Sequence, residues 1–517
     1  MNGAQALIRS LVDGGVEVCF ANPGTSEMHF VAALDEVPAM RAVLCLFEGV
    51  ATGAADGYGR MADRPAATLL HLGPGLGNGL ANLHNARRAA TPIVNVVGDH
   101  ATYHKRYDAP LESDIEAVAG TVSGWLRRSA ATTEVGADTA AAIAAATSSP
   151  GQIATLIVSA DLSWSEGAEP GSPLPTRPPV LVPSDVVKSA AAALRSGEPA
   201  AILLGGTATR ESALRYASRS AVATGAKLLC ETFPARLERG AGLPPVERLA
   251  YLAEFAAEQL SGIRHLVLAG ARSPVSFFAY PGRPSELVPD GCEVHVLAAA
   301  SDNTADALAQ LADLVAPDTD PAAQPARRPA LPTGELTAET VADTVGALLP
   351  EGAIVVDEAN TSGLWLPAAT AGAPRHDWLA LTGGAIGQGL PAAIGAAIAC
   401  PQRPVICLES DGSAMYTISA LWTHRREALD ITTIIFSNRS YAILNMELLR
   451  VGATTPGPRA HDLLDLSRPD LDFIALATGM GVPASRATTA EEFTAQLSRA
   501  LAEPGPHLIE VAIPPVV

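Results

Sequence analysis

The chain is short of cysteine, of aromatic residues and of positive charge, and each shortage excludes a class of protein. Only six of 517 residues are cysteine, namely Cys19, Cys45, Cys230, Cys292, Cys400 and Cys407. They are scattered without metal-type pairing, mostly inside apolar runs such as VEVCF and VICLES, which predicts buried, reduced thiols in a cytoplasmic protein. Lys and Arg total 35 against 54 Asp and Glu, a formal charge of −19, so no basic face for a nucleic-acid partner is expected. The pairs Arg87-Arg88 and Arg425-Arg426 read as solvated helix faces. The start, MNGAQALIRSLVDGG, lacks a basic region followed by an apolar stretch, so no secretion signal is expected. The longest uncharged run, LTGGAIGQGLPAAIGAAIAC, holds five glycines, a glutamine and a proline. It predicts a loop and a buried helix, not a membrane span.

What is plentiful is small aliphatic residue: 48% of the chain is hydrophobic, 17% charged and 4% aromatic. That balance favours α/β layers. At ~100–200 residues per domain the length suggests about three. Two Pro-rich stretches, 166–183 and 316–336, read as extended linkers. They leave an N-terminal block 1–170, a central block 184–315 and a C-terminal block 335–517. In each block short apolar runs (AVLCLF, IVNVVG, AAILLGG, HLVLAG, AIVVDE, VICLES, TTIIFSN, HLIEVAI) alternate with Ala-rich helical segments, which predicts three doubly wound parallel-sheet α/β domains.

In such sheets ligands bind beyond the carboxyl ends of the strands. Four polar residues fall there: Glu48 after AVLCLF, His71 ending AATLLH, Asp411 after VICLES and Asn438 ending TTIIFSN. The Gly pair in AILLGGTATRESA is better read as helix–strand packing than as a phosphate site. Asp411 and Asn438 should emerge from neighbouring strands, offering the oxygen ligands that Mg²⁺ prefers. Gly412 and Ser413, at a helix start, could present N–H groups to a diphosphate. Taken alone, a helix cap and a turn asparagine explain that pair at least as well. A carboxyl directly after AVLCLF needs a partner, because burying it bare is costly.

The order of these motifs resembles the thiamine-diphosphate enzymes, in particular benzoylformate decarboxylases and acetolactate synthase-like proteins. The turn Ser410-Asp411-Gly412-Ser413 and the later Asn438 resemble that family's diphosphate–Mg²⁺ motif, although Ser410 stands where Gly is common and Ser437 where a second Asn is common. The resemblance implies Asp411, Asn438 and the carbonyl of Ser440 as metal ligands. It places Asn360 and Thr361 at the diphosphate, the Gly384 carbonyl at the cofactor's amino group and Ile386 beneath the bent cofactor.

LCLFEGVATGAADGYGRMADRPA resembles the family's glutamate unit, so Glu48 would bond the pyrimidine ring and activate the thiazolium carbon. SAMYTISALWT is particularly like benzoylformate decarboxylases. There His71 would be an active-site histidine and Thr25 would bind the substrate carboxylate. The family's second histidine is missing: SPVSFFAYPG offers Phe277 or Phe278 instead. His100 and His104 could substitute. Ile443 and Leu444 would form an apolar wall beside the substrate. The Arg-bearing flavin signature is not seen, so FAD is not expected.

The resemblance implies decarboxylation of a 2-oxo acid, with carboligation to a 2-hydroxy ketone if an aldehyde or second carbonyl compound enters. An acetolactate-forming transferase and a non-catalytic cofactor-binding protein are the alternatives. It also implies pyrimidine-binding, central and diphosphate-binding domains in chain order. The assembly would be a homodimer at minimum and commonly a homotetramer, because the two cofactor-binding domains of one site come from different subunits.

Overall fold

A computed structural model describes residues 1–453 and 457–515. The N-terminal sheet contains β1 (Val18–Asn22), β2 (Arg41–Leu44), β3 (Ala66–His71), β4 (Ile93–Asp99), β5 (Trp125–Arg128) and β6 (Ile153–Ser159). Its order is β2-β1-β3-β4-β6-β5 and every pairing is parallel. β4 and β6 are buried along their whole length, as strands covered on both faces must be. A polar rung crosses both strands. Thr68, Asn95 and Thr155 are register partners across β3, β4 and β6, and the amide of Asn95 accepts from Thr68 at 2.7 Å and donates to Thr155 at 2.9 Å.

The central sheet takes β7 (Ala200–Leu204), β8 (Lys227–Cys230), β10 (Glu247–Arg248), β11 (His265–Ala269) and β12 (Glu293–Ala298), in the order β10-β8-β7-β11-β12. The C-terminal sheet takes β13 (Ile354–Glu358), β14 (His376–Ala380), β15 (Val405–Ser410), β16 (Ile431–Ser437), β17 (Ala484–Ala487) and β18 (His507–Ala512). One strand crosses between blocks. A strand of the central block, β9 (Leu237–Arg239), leaves its own sheet and pairs antiparallel with β14, giving the order β17-β18-β16-β15-β13-β14-β9. The three blocks therefore do not each keep their own strands. Edge pairing satisfies backbone groups wherever an open edge is within reach, whatever the sequence separation.

The N-terminal and C-terminal blocks meet through two helices, Glu48–Ala62 and Gly389–Ala399. Their backbones approach so closely that a Cβ on Gly57 would lie 2.0 Å from the Ala392 carbonyl oxygen, and one on Gly395 would lie 1.9 Å from that of Ala54. Only glycine fits such a crossing. Beside it Asp56 is fully buried and is satisfied by Arg60, Thr91 and the Gln388 amide, which is what lets the charge stay inside. No helix among the described residues is long and apolar enough to cross a membrane.

Candidate functional site

Strand order decides where the ligand crevices fall, because an open parallel sheet gapes where the order reverses. In the C-terminal sheet β13 lies between β14 and β15, so the crevice opens beyond the carboxyl ends of β13 and β15. Asn360 follows β13, Asp411 follows β15, and Asn438 follows the neighbouring β16. Asn360 has φ +50°, and its amide donates to the hydroxyls of Ser410 at 2.6 Å and Ser413 at 3.0 Å. Thr361, in the same short turn, is half-buried.

Asp411 is 2% exposed and Asn438 5%. The Asp411 carboxylate accepts from the N–H of Gly412 at 2.8 Å and of Arg439 at 2.6 Å. Asn438 Oδ1 accepts from the N–H of Ser440 at 2.9 Å. Arg439, at φ +58°, folds the Asn438–Ser440 turn back onto Asp411. Burial pushes Asp411 up to about 6, and the groups holding it down are all backbone N–H donors. A buried carboxylate beside an amide oxygen, without a cationic side chain among its hydrogen-bond partners, is a donor set that suits a divalent cation, whose charge would reverse that upward shift. One expectation changes: the Gly412 N–H is turned toward Asp411 itself rather than outward. The helix here runs only from Asp411 to Ala414, and an aspartate at its start captures the nearest free donor. Gly412 still has reason to be glycine, since a Cβ there would lie 2.5 Å from the Tyr441 ring.

The loop bearing Gly384 and Ile386 precedes the helix Gly389–Ala399 and is held from both blocks. Asn85 donates to the Ala385 carbonyl at 2.7 Å, and Asn82 to that of Gly387 at 3.1 Å. Beneath the loop, the Glu358 carboxylate accepts the N–H groups of Gly387, Gln388 and Gly389 at 2.6, 2.8 and 2.5 Å. Its register partner Glu409 is also fully buried, and burial raises both carboxyls, Glu409 the more. The oxygens of Glu358 take the three N–H groups, so of the two carboxyls it is Glu358 whose charge the loop favours. Gly384 has φ +73°, and Phe277 packs on it, 2.8 Å from where a Cβ would sit. Phe277 clusters with Phe233, Tyr251 and Phe278 at centroid distances of 5.1–5.8 Å. Aromatic rings of Phe277 and Phe278 thus stand beside the loop, in the stretch where the resemblance implies a histidine. Ile386 and Ile443 are half-buried, and Leu444 is 43% exposed.

In the N-terminal sheet the reversal falls between β1 and β3, the ends that carry Thr25 and His71. His71 Nδ1 lies 2.8 Å from Glu27 Oε2, and its ring packs on Gly24, where a Cβ would be 2.3 Å away. Glu27 also accepts the Gly24 N–H at 2.7 Å and is 3% exposed. The bond to Glu27, opposed by partial burial, raises the pKa of His71. Thr25 is exposed and one residue from that contact. Glu48 opens its helix, 7% exposed, and accepts from Asn78 at 3.0 Å, so the partner its burial demanded is an amide. β2 ends at Leu44 rather than running to Glu48, because Cys45–Phe47 form the link into the helix. His100 follows β4 beside His71's strand, its Nε2 buried without a partner, and stacks near His104. Among the described residues no hydrogen bond joins Glu48 or His71 to the Asp411–Asn438 set.

Sequence reasoning missed Glu27, Glu358, Glu409, Asn82 and Asn85. Glu409 left a signal, a carboxyl inside the apolar run VICLES; Glu27 and the two asparagines left none in local pattern.

Comparison with known proteins identifies the family and the fold. Residues 1–119 match the family model of the thiamine pyrophosphate enzyme N-terminal TPP binding domain, and residues 361–511 that of the C-terminal TPP binding domain. The chain is 68% identical over 518 residues, 100% of both chains, to a Mycobacterium tuberculosis protein provisionally named acetolactate synthase large subunit IlvX. It is 30% identical to benzoylformate decarboxylase of Pseudomonas aeruginosa over 96% of each chain. In fold it is similar to the thiamine diphosphate-dependent 4-hydroxybenzoylformate decarboxylase of Rhodococcus jostii RHA1, with a TM-score of 0.86 at 24% identity over 99% of both chains.

Proposed function

The chain belongs to the thiamine pyrophosphate enzyme family, and we propose that it binds thiamine diphosphate with Mg²⁺ and decarboxylates a 2-oxo acid, with carboligation as a side reaction. When bound, the cofactor supplies a nucleophilic carbon and an electron sink for cleaving the bond beside a ketone. Asp411, Asn438 and the Ser440 carbonyl would hold the cation. Asn360, Thr361, Gly412 and Ser413 line the diphosphate end, while Gly384, Ile386 and Ile443 meet the organic part. Glu48 would meet the pyrimidine.

The observation that favours decarboxylation is the Glu27–His71 pair. Loss of carbon dioxide leaves a carbon that must take a proton before an aldehyde is released. A histidine whose pKa is raised by a hydrogen bond to a buried carboxylate is suited to deliver it. Glu27 orients the ring through Nδ1 and leaves Nε2 to donate. Thr25 would bind the substrate carboxylate, and Phe277, Phe278 and Leu444 make the surroundings apolar, which favours an apolar or aryl substituent. Residues 1–170 act as the pyrimidine-binding domain, 335–517 as the diphosphate-binding domain and 184–315 as the central domain, with each site shared between two subunits of a homodimer or homotetramer.

The test is a panel of 2-oxo acids, aryl and aliphatic, given to the protein loaded with thiamine diphosphate and Mg²⁺. Equal amounts of carbon dioxide and aldehyde, lost in His71→Ala, are expected. Acetolactate from pyruvate without free aldehyde would instead establish the transferase reading, and thiamine diphosphate bound in calorimetry without turnover of any 2-oxo acid would favour the non-catalytic one.

A further inference from the structure

The central sheet carries a side-chain cluster that the reaction does not use. β11 begins at His265 and β12 at Glu293, and these two are register partners, while Val267 partners His295. Alternation along parallel strands therefore places His265, Glu293 and His295 on one face. It is the face covered by the helix Ser184–Leu194, since Val267 clusters there with Val187 and Ala190. The cluster lies at the amino ends of the central strands, outside the N-terminal and C-terminal blocks that carry the candidate cofactor residues.

His265 Nδ1 lies 3.1 Å from His295 Nε2, and Glu293 Oε2 lies 3.9 Å from each of those nitrogens. On its other side, His265 Nε2 lies 3.1 Å from Glu198 Oε2. An ionised carboxylate only accepts, so Nε2 carries the hydrogen, and in the neutral ring Nδ1 turns a lone pair toward His295. The gap between the two rings can then be bridged by the hydrogen of His295 or by an ion bound to both. Both imidazoles are largely covered, with side chains 12% exposed, whereas that of Glu293 is 69% exposed and free to adjust.

We propose that His265, His295 and Glu293 bind a divalent transition ion of the zinc class, with Glu198 as the carboxylate that orients His265. Tetrahedral bonds of ~2.0–2.1 Å place ligand atoms about 3.4 Å apart, and the separations of 3.1 and 3.9 Å bracket that value. Two imidazoles and one carboxylate are a set that zinc accepts, and a histidine ligand ordinarily donates its other N–H to a carboxylate or carbonyl. A cavity of about 300 Å³ lined by Asp185, Ser189 and His295 leaves room for water at the fourth position. The ion would tie edge strand β12 to β11 and, through Glu198, to the turn before β7.

The experiment uses the full chain, stripped with a chelator and kept in excess Mg²⁺. Zinc is titrated in competition with a chromophoric chelator, and cobalt(II) is added separately to read the visible absorption of a tetrahedral site. One zinc per chain is expected, with a higher melting temperature and a cobalt spectrum. All three should vanish in His265→Ala/His295→Ala, and Glu198→Gln should weaken zinc by about 10- to 100-fold. Circular dichroism verifies that each variant is folded. Zinc binding no greater than in the folded double variant, or unchanged in Glu198→Gln, overturns the proposal.

Discussion

Replacing Glu358 with glutamine tests whether a buried carboxylate holds the loop that carries Gly384 and Ile386. Two carboxylate oxygens take three N–H groups, Gly387 on Oε1 and both Gln388 and Gly389 on Oε2. Glutamine keeps the shape but only one oxygen. If that oxygen serves Gln388 and Gly389, the NH₂ group faces the Gly387 N–H across the former 2.6 Å contact, and two donors meet. A hydrogen bond to a charged group contributes about 1.5–3 kcal/mol, and a buried donor left bare costs about 1–3 kcal/mol. Removing a buried charge offsets part of this for the fold as a whole, so the loss should concentrate in the loop. Taking about 2–3 kcal/mol for the loop, thiamine diphosphate affinity should fall about 30- to 150-fold at 1.4 kcal/mol per tenfold. Titration of the cofactor gives the affinity, and hydrogen exchange at the Gly387–Gly389 amides reads the loop without depending on catalysis. Unchanged affinity together with unchanged exchange refutes the reasoning.

Three further outcomes are expected. In the cofactor-free chain Asp411 is raised from 3.8 to about 6 by burial; the folded state then binds the proton more tightly than the unfolded one, so this group's contribution to stability falls as pH rises from about 4 to 6. Cation binding needs the ionised form, so Mg²⁺-dependent cofactor affinity should drop about tenfold per pH unit below about 6, which titrations across that range measure and a pH-independent affinity would contradict. Glu27→Gln removes the first cause of the raised His71 pKa, so the alkaline limb of the pH–rate profile should move to lower pH and turnover should fall by about 10²-fold or more; an unmoved limb would release His71 from the proton-donor role. Mixing inactive Glu48→Gln and Asp411→Ala chains should restore activity in hybrid dimers, since one of the two shared sites is then intact; verified hybrids without activity would exclude sites shared between subunits.

Local pattern in the sequence determined the α/β class, the placement of β3, β15 and β16, and the strand-end positions of His71, Asp411 and Asn438. A buried parallel strand must be a short apolar run, and polar groups gather where that run ends. The likeness of those motifs to known enzymes pointed to the family, which the comparisons then established. Only the tertiary structure decided which strand ends are neighbours, that β9 joins a foreign sheet, and that Phe277 lies on Gly384. The same holds for Glu27 against His71, Asn82 and Asn85 on the Gly383–Gly387 loop, Glu358 beside Glu409, and His265 beside His295. Each of these depends on register or packing between segments distant in the chain. Periods of 2 and 3.6 residues say which face a side chain takes, but not which strand will lie alongside.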